Sequence, residues 1–113
     1  MSASHDQLVR ALARTYEGEG YVVQADGISH PNGRPQPIGG YVPDITASTL
    51  GAARIAEAET DSSLNSEHTR NQWRAFSRIP GASFEVIVPQ ESLGVAKSQA
   101  AKWGVYVNKW WYL

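Results

Sequence analysis

Residues 41–60 have the sequence YVPDITASTLGAARIAEAET, and two parts of this stretch predict neighbouring β-strands. Residues 41–46 are rich in aromatic and β-branched side chains, and Pro43 among them indicates a sheet edge or a bulge. Residues 53–60 contain Ala and Glu, which favour helix, but their strict alternation favours a strand with positions 53, 55, 57 and 59 on one face. We therefore predict that the two parts pair within a sheet.

The sequence on either side of this stretch predicts three helices and three further strands. We predict helices over residues 5–19, 66–79 and 91–103 and further strands over residues 21–25, 84–89 and 105–107. Residues 26–40 hold three Pro and four Gly, which predicts a long loop that either connects two strands or faces a substrate.

This element order predicts an α/β fold: a single three-layer domain over residues 1–113, with a mixed central β-sheet flanked by helices. The three consecutive strands indicate a meander, and the later strand–helix–strand unit indicates a right-handed parallel crossover.

The composition excludes several classes of function. The chain has 113 residues and no Cys, which rules out disulfides, thiolate metal sites and a Cys nucleophile. It contains no phosphate-binding P-loop, no dinucleotide fingerprint and no G-x-S-x-G motif. No apolar stretch reaches the ~18 residues of a membrane span, and the N-terminus lacks the pattern of a secretory signal. We expect a cytoplasmic protein with no membrane partner.

The net charge of −1 hides a strong asymmetry along the chain. Residues 1–69 carry four basic and nine acidic side chains, a net charge of −5, and residues 70–113 carry six basic and two acidic ones, a net charge of +4. A nucleic-acid partner is therefore compatible with the overall charge, since the basic half can contact phosphates.

Three carboxylates are the candidate chemical site. Asp44 follows Pro43, and Glu57 and Glu59 are two residues apart, so both point to one face of their strand. If the two strands pair, the three carboxylates converge and favour a hard divalent cation, Mg²⁺ or Mn²⁺. The alternative is that Glu57 and Glu59 lie on a solvent-facing side of the strand and Asp44 lies in a turn.

The run Gly40-Tyr41-Val42-Pro43-Asp44, followed by Glu57-Ala58-Glu59-Thr60, resembles the PD-(D/E)xK nuclease superfamily. The resemblance covers roughly residues 6–89 and implies the restriction-endonuclease-like core of helix, three strands, helix and strand, here followed by a C-terminal helix and strand. It implies that Asp44 and Glu57 bind the metal, aided by the backbone carbonyl of Ala58. It also implies a catalytic role for Glu59, as base or extra metal ligand, in the place where the family usually has Lys.

The resemblance extends to the next predicted helix. Gln72, with Phe76 four residues later, resembles the Gln-x-x-x-Tyr motif of some branches, in which the Gln contributes to the active site. Many branches also carry an acidic residue in the first helix, but Asp6, Glu17 and Glu19 show no clear match in register.

Basic side chains after the carboxylates are candidates for binding nucleic acid. Arg70, Arg74 and Arg78 recur every four residues and predict a ridge that contacts phosphates. His68, Lys97 and Lys102 are further candidates for this surface. The alternative is that these side chains form an ordinary solvated helix face.

We therefore expect a Mg²⁺-dependent (or Mn²⁺-dependent) nuclease, an endonuclease that binds DNA and hydrolyses phosphodiester bonds. The alternatives are a non-catalytic module of the same fold that binds nucleic acid or protein, and a small interaction domain with exposed carboxylates. The aromatic tail, Trp110 to Tyr112, belongs either to the core or to a surface that contacts a second copy, a partner protein or a nucleic-acid base.

Overall fold

The computed structural model describes residues 2–113, and its elements follow the predicted order. The three helices are α1 (His5–Gly18), α2 (Glu67–Ser77) and α3 (Leu93–Trp103). The five strands are β1 (Val22–Ala25), β2 (Ile45–Thr49), β3 (Ala52–Ala58), β4 (Ser83–Val88) and β5 (Lys109–Tyr112). A short 3-10 helix, Gln90–Ser92, leads into α3.

The strands form one mixed sheet in the spatial order β1-β2-β3-β4-β5. β1, β2 and β3 are an antiparallel meander, and β4 and β5 each add in parallel after a helical crossover. The predicted meander and parallel crossover are therefore confirmed.

Helices cover both faces of this sheet, which confirms the predicted three-layer α/β arrangement. Leu8, Leu12 and Tyr16 of α1 pack against one face, which includes Ala56 and Ala58 of β3. The opposite face is covered by α2 and α3, with Trp73 and Phe76 fully buried against Phe84 of β4. The alternation predicted for β3 thus holds, since small Ala side chains face α1 and Ile55 faces α2 and α3.

The second strand begins later than predicted, so the expected strand over residues 41–46 is wrong. Ile38 and Tyr41 instead close a tight turn through two backbone hydrogen bonds of 2.7 and 3.1 Å. β2 starts at Ile45, which leaves Asp44 one residue before the strand. Pro43 cannot donate a ladder hydrogen bond, which fits its place outside the strand.

The last strand also lies elsewhere than predicted: residues 105–107 form no strand, and the aromatic tail forms β5. The N–H of Val105 bonds to the carbonyl of Ala100 (2.9 Å), which ties the chain back to the end of α3. Asn108 then pairs with Phe84 through both its backbone N–H and its side chain, and this contact sets the start of β5. Trp110 packs against the core on the side of α2 and α3 and Trp111 against the core on the side of α1, and both side chains are partly buried.

Within the described chain, residues 2–113, we find no helix with both the length and the apolarity needed to cross a membrane.

Candidate functional site

A cavity of about 430 Å³ opens at the end of the sheet where β2 begins and β3 ends, and we call it the carboxylate cavity. Because β2 and β3 are antiparallel, with Ile45 opposite Ala56, the residue before β2 lies beside the last residues of β3. The predicted site residues that line it are Asp44, Glu57, Ala58, Glu59, His68 and Gln72.

Asp44 and Glu57 are locked together by hydrogen bonds with the backbone. The N–H of Asp44 donates to Oε2 of Glu57 (2.9 Å), and the N–H of Ala58 donates to Oδ2 of Asp44 (2.8 Å). The two bonds join the end of β3 to the start of β2 and hold both carboxyl groups toward the cavity. The side chain of Glu57 is only 2% exposed.

Burial raises the pKa of Glu57 well above its ordinary value, and the negative charge of Asp44 beside it raises the pKa further. Two carboxyl groups that share a buried site cannot both ionise cheaply without a cation. A cation beside the two groups would offset this cost. Carboxylate and carbonyl oxygens, which Asp44, Glu57 and Ala58 carry, are the ligand type that hard divalent cations prefer.

Glu59 is held by protein donors on both of its oxygens. The hydroxyl of Ser63 donates to Oε1 (2.7 Å), and the indole N–H of Trp73 donates to Oε2 (3.0 Å). Burial raises the pKa of Glu59 to about 7, although these two hydrogen bonds act in the opposite direction. Since Glu57 and Glu59 are both buried, the alternative of a solvent-facing acidic strand is wrong.

Within residues 2–113, His5 is the one titratable residue lining this cavity that the sequence did not indicate as a site residue. Its Nε2 lies 3.2 Å from Oδ1 of Asp44, and its Nδ1 lies 3.3 Å from Oδ1 of Asp6. The hydrogen bond with Asp44 raises the pKa of His5 to about 9, against the opposing effect of its partial burial. The imidazolium of His5 therefore puts a positive charge beside Asp44.

A capping box explains why His5 lies at this position. The hydroxyl of Ser4 accepts a hydrogen bond from the N–H of Gln7, and the side chain of Gln7 accepts one from the N–H of Ser4. These bonds start α1 at His5, and His5 lines the carboxylate cavity. The S-x-x-Q pattern of residues 4–7 is a sequence signal for a helix start, but no local pattern indicates that His5 contacts Asp44.

The acidic residues considered in the first helix do not line the carboxylate cavity. Glu17 lies 3.5 Å from His30, and Glu19 pairs with Arg54 at 2.9 Å. Asp6 contacts His5, which lines the cavity, but does not line the cavity itself.

His68 and Gln72 approach the carboxylates from α2. They are four residues apart and therefore lie on one face of the helix. The ring of His68 packs edge-to-face on Tyr41, with ring centroids 5.6 Å apart. Phe76, one turn further, is fully buried against Tyr41 and Phe84, so its role is to fix α2 on the sheet.

The predicted basic residues divide into two groups. Arg70, Arg74 and Lys102 line a second cavity of about 350 Å³ between α2 and α3, which we call the basic cavity. Arg78 and Lys97 do not line it. The two cavities adjoin, because Ser66 lines both of them.

Across residues 2–113, no three or more His, Asp or Glu side chains form a group arranged to hold a metal ion. Comparisons with protein-family models, with curated proteins and with solved structures give no match for this chain.

Proposed function

We propose that this protein is a metal-dependent nuclease that hydrolyses phosphodiester bonds at the carboxylate cavity. The observation that carries the proposal is the convergence of Asp44 and Glu57, from two different strand ends, on one cavity. Buried carboxyl groups of like charge are costly to a fold. Their pairing within a cavity lined by polar side chains is typical of a functional site rather than of a structural one.

Two further observations support this proposal. The element order, with its meander and parallel crossover, is the order that the PD-(D/E)xK resemblance implies. Gln72, the further residue that the resemblance implicates, lines the same cavity.

In this proposal Asp44, Glu57 and the carbonyl of Ala58 hold Mg²⁺ or Mn²⁺. When bound, the ion would lower the pKa of a water and stabilise charge on a phosphoryl oxygen. In this proposal Gln72 and His68, which both line the cavity, orient the substrate phosphate by hydrogen bonds. The PD-(D/E)xK family usually has a Lys at the position of Glu59. Glu59 can accept a proton there, but it cannot supply positive charge to the transition state.

A cleavage assay with plasmid DNA and with single-stranded DNA tests this function. We expect wild-type protein to cleave at least one substrate with Mg²⁺ or Mn²⁺, and Asp44→Asn to reduce the rate at least about 100-fold, because several kcal/mol of charge stabilisation are lost. Asp61→Asn is the matched control, since Asp61 is exposed and outside the cavity. Equal inactivity of all three proteins contradicts the proposal.

Metal binding can be tested without turnover. We expect Mn²⁺ to broaden the backbone amide NMR signals of Asp44 and Ala58 strongly, and we expect this broadening to disappear in Asp44→Asn. A titration that leaves these signals unperturbed in the wild type argues against the metal site.

One observation favours a second candidate function, a non-catalytic module that binds nucleic acid. Glu59 replaces the Lys of the family, and both of its oxygens are occupied by Ser63 and Trp73. Binding of DNA that shows no cleavage with either metal ion supports this second candidate.

A further inference from the structure

The basic cavity is lined mainly by positively charged side chains and adjoins the carboxylate cavity. Arg70, Arg74 and Lys102 contribute three positive charges to its lining, and Glu67 contributes one negative charge. The ion pair between Arg70 and Glu67 spans 3.4 Å, and the Glu67 side chain is 77% exposed, so it neutralises Arg70 only weakly.

Arg70 carries a hydrogen-bond donor that the protein leaves unused. Its Nε is the one buried side-chain nitrogen or oxygen without a partner in residues 2–113. A buried N–H without an acceptor costs about 1–3 kcal/mol. A ligand that supplied an acceptor here would complete the hydrogen bonding of Arg70.

Arg74 is preorganised at the same cavity. Its Nε and Nη2 both donate to the carbonyl of Trp103, each at 3.3 Å, which ties the guanidinium to the end of α3. An anchored guanidinium loses less side-chain entropy when an anion binds. Its remaining N–H groups can contact a phosphate.

Helix α2 lies between the two cavities. Because an α-helix turns about 100° per residue, Thr69 and Gln72 face the carboxylate cavity, whereas Arg70 and Arg74 face the basic one. The helix is about 10 Å wide, a width that a nucleic-acid strand covers in a few nucleotides.

We propose that the basic cavity is a phosphate subsite, which holds the backbone of a nucleic-acid strand a few nucleotides from the phosphate placed in the carboxylate cavity. The inference rests on the proposed function in naming nucleic acid as the ligand and in placing a second phosphate in the carboxylate cavity. The subsite binds through Arg70, Arg74 and Lys102 and needs no metal ion.

The test measures binding of a fluorescein-labelled 12-nucleotide DNA strand, and of its duplex, by anisotropy in EDTA at low salt. We expect Arg70→Ala and Lys102→Ala each to weaken binding about tenfold, as for the loss of one charge-assisted hydrogen bond or ion pair. Each should also reduce the salt dependence, by about 0.7 in the log–log slope for the single strand. Lys102 is exposed, so its variant stays informative if Arg70→Ala fails to fold.

Two further variants distinguish a defined subsite from general charge. Arg34→Ala is the matched control, since Arg34 is exposed and lies in the loop before β2, and we expect less than a twofold change. Arg78→Ala removes the same charge at the residue that follows α2, outside the cavity, and should weaken binding less than Arg70→Ala. Equal losses in Arg34→Ala, Arg78→Ala and Arg70→Ala overturn the subsite, as does a wild-type protein that binds neither probe.

The outcome is separable from that of the proposed function. Binding in EDTA that depends on Arg70 and Lys102, without cleavage in Mg²⁺ or Mn²⁺, supports the subsite and contradicts the nuclease. If the wild-type protein cleaves DNA and neither Arg70→Ala nor Lys102→Ala weakens binding, the result supports the nuclease and contradicts the subsite.

Discussion

The carboxyl group of Glu59 is buried in the carboxylate cavity. Ser63 and Trp73 donate to its two oxygens, and its burial still raises its pKa to about 7. In the metal-free protein Glu59 therefore takes up a proton near neutral pH. The position of this side chain is therefore fixed by hydrogen-bond donors from the loop after β3 and from α2.

The raised pKa of Glu59 predicts a fall in stability as the pH rises. The folded state binds the proton more tightly than the unfolded state, so this group's stabilising contribution is fully present below pH 4.5 and is lost as the pH rises through about 7. The change corresponds to about 3 kcal/mol. We expect Glu59→Gln to remove this part of the pH dependence in EDTA.

Urea unfolding at several pH values between 5 and 7 measures this effect. Glu67→Gln, at a position that is mostly exposed, is the matched control and should follow the wild type. The prediction fails if wild type and Glu59→Gln show the same dependence on pH.

At the scale of single elements, the start of α1 matters most for the site. The capping box of Ser4 and Gln7 begins the helix at His5. His5 is thereby held against Asp44, and Leu8, four residues after Ser4, enters the core. The cap therefore connects the stability of the helix with the geometry of the carboxylate cavity.

Replacing Ser4 by Ala removes the acceptor for the N–H of Gln7, and we expect a loss of about 1 kcal/mol in the free energy of unfolding. Chemical denaturation measures the loss. Ser98→Ala is the control, because Ser98 is exposed within α3 and Ala favours helix there. A Ser4→Ala protein as stable as Ser98→Ala contradicts a stabilising role for the cap.

At the scale of the whole molecule, one buried carboxylate joins four elements on the α1 face of the sheet. Glu85 of β4 is 3% exposed and accepts hydrogen bonds from Tyr16 of α1 (2.8 Å) and Trp111 of β5 (2.7 Å). Arg54 of β3 lies 3.6 Å from it and stacks 4.4 Å from the ring centroid of Tyr21. The network ties the last strand to the first helix.

We expect Glu85→Ala to destabilise the fold by about 3 kcal/mol. The change leaves the buried hydroxyl of Tyr16 and the partly buried indole N–H of Trp111 without their acceptor, and Arg54 keeps only Glu19 as a carboxylate partner. Thermal unfolding measures this against Glu91→Ala, which removes a carboxylate from an exposed position and should change stability by less than about 0.5 kcal/mol. Similar melting temperatures for the two variants would show that the network is dispensable.

The elements that were predicted well carry a clear local pattern. The alternation in β3 correctly placed Glu57 and Glu59 on one face, and the three- and four-residue spacing of apolar side chains located α1 and α2. β2 and β5 were misplaced, because the turn at Ile38 and Tyr41 and the pairing of Asn108 with Phe84 override local β-propensity.

The sequence by itself determined the order of the elements, the three-layer architecture and the shared face of the two glutamates, since these follow from short-range periodicity and from the general rules of strand connection. Only the tertiary structure decided that His5 lies against Asp44, that Trp73 holds Glu59, and that Arg70, Arg74 and Lys102 line one cavity whereas Arg78 and Lys97 do not. The physical reason is that these contacts join residues distant in the chain. Their partners depend on how α1 and α2 pack against the sheet, and no local pattern encodes that packing.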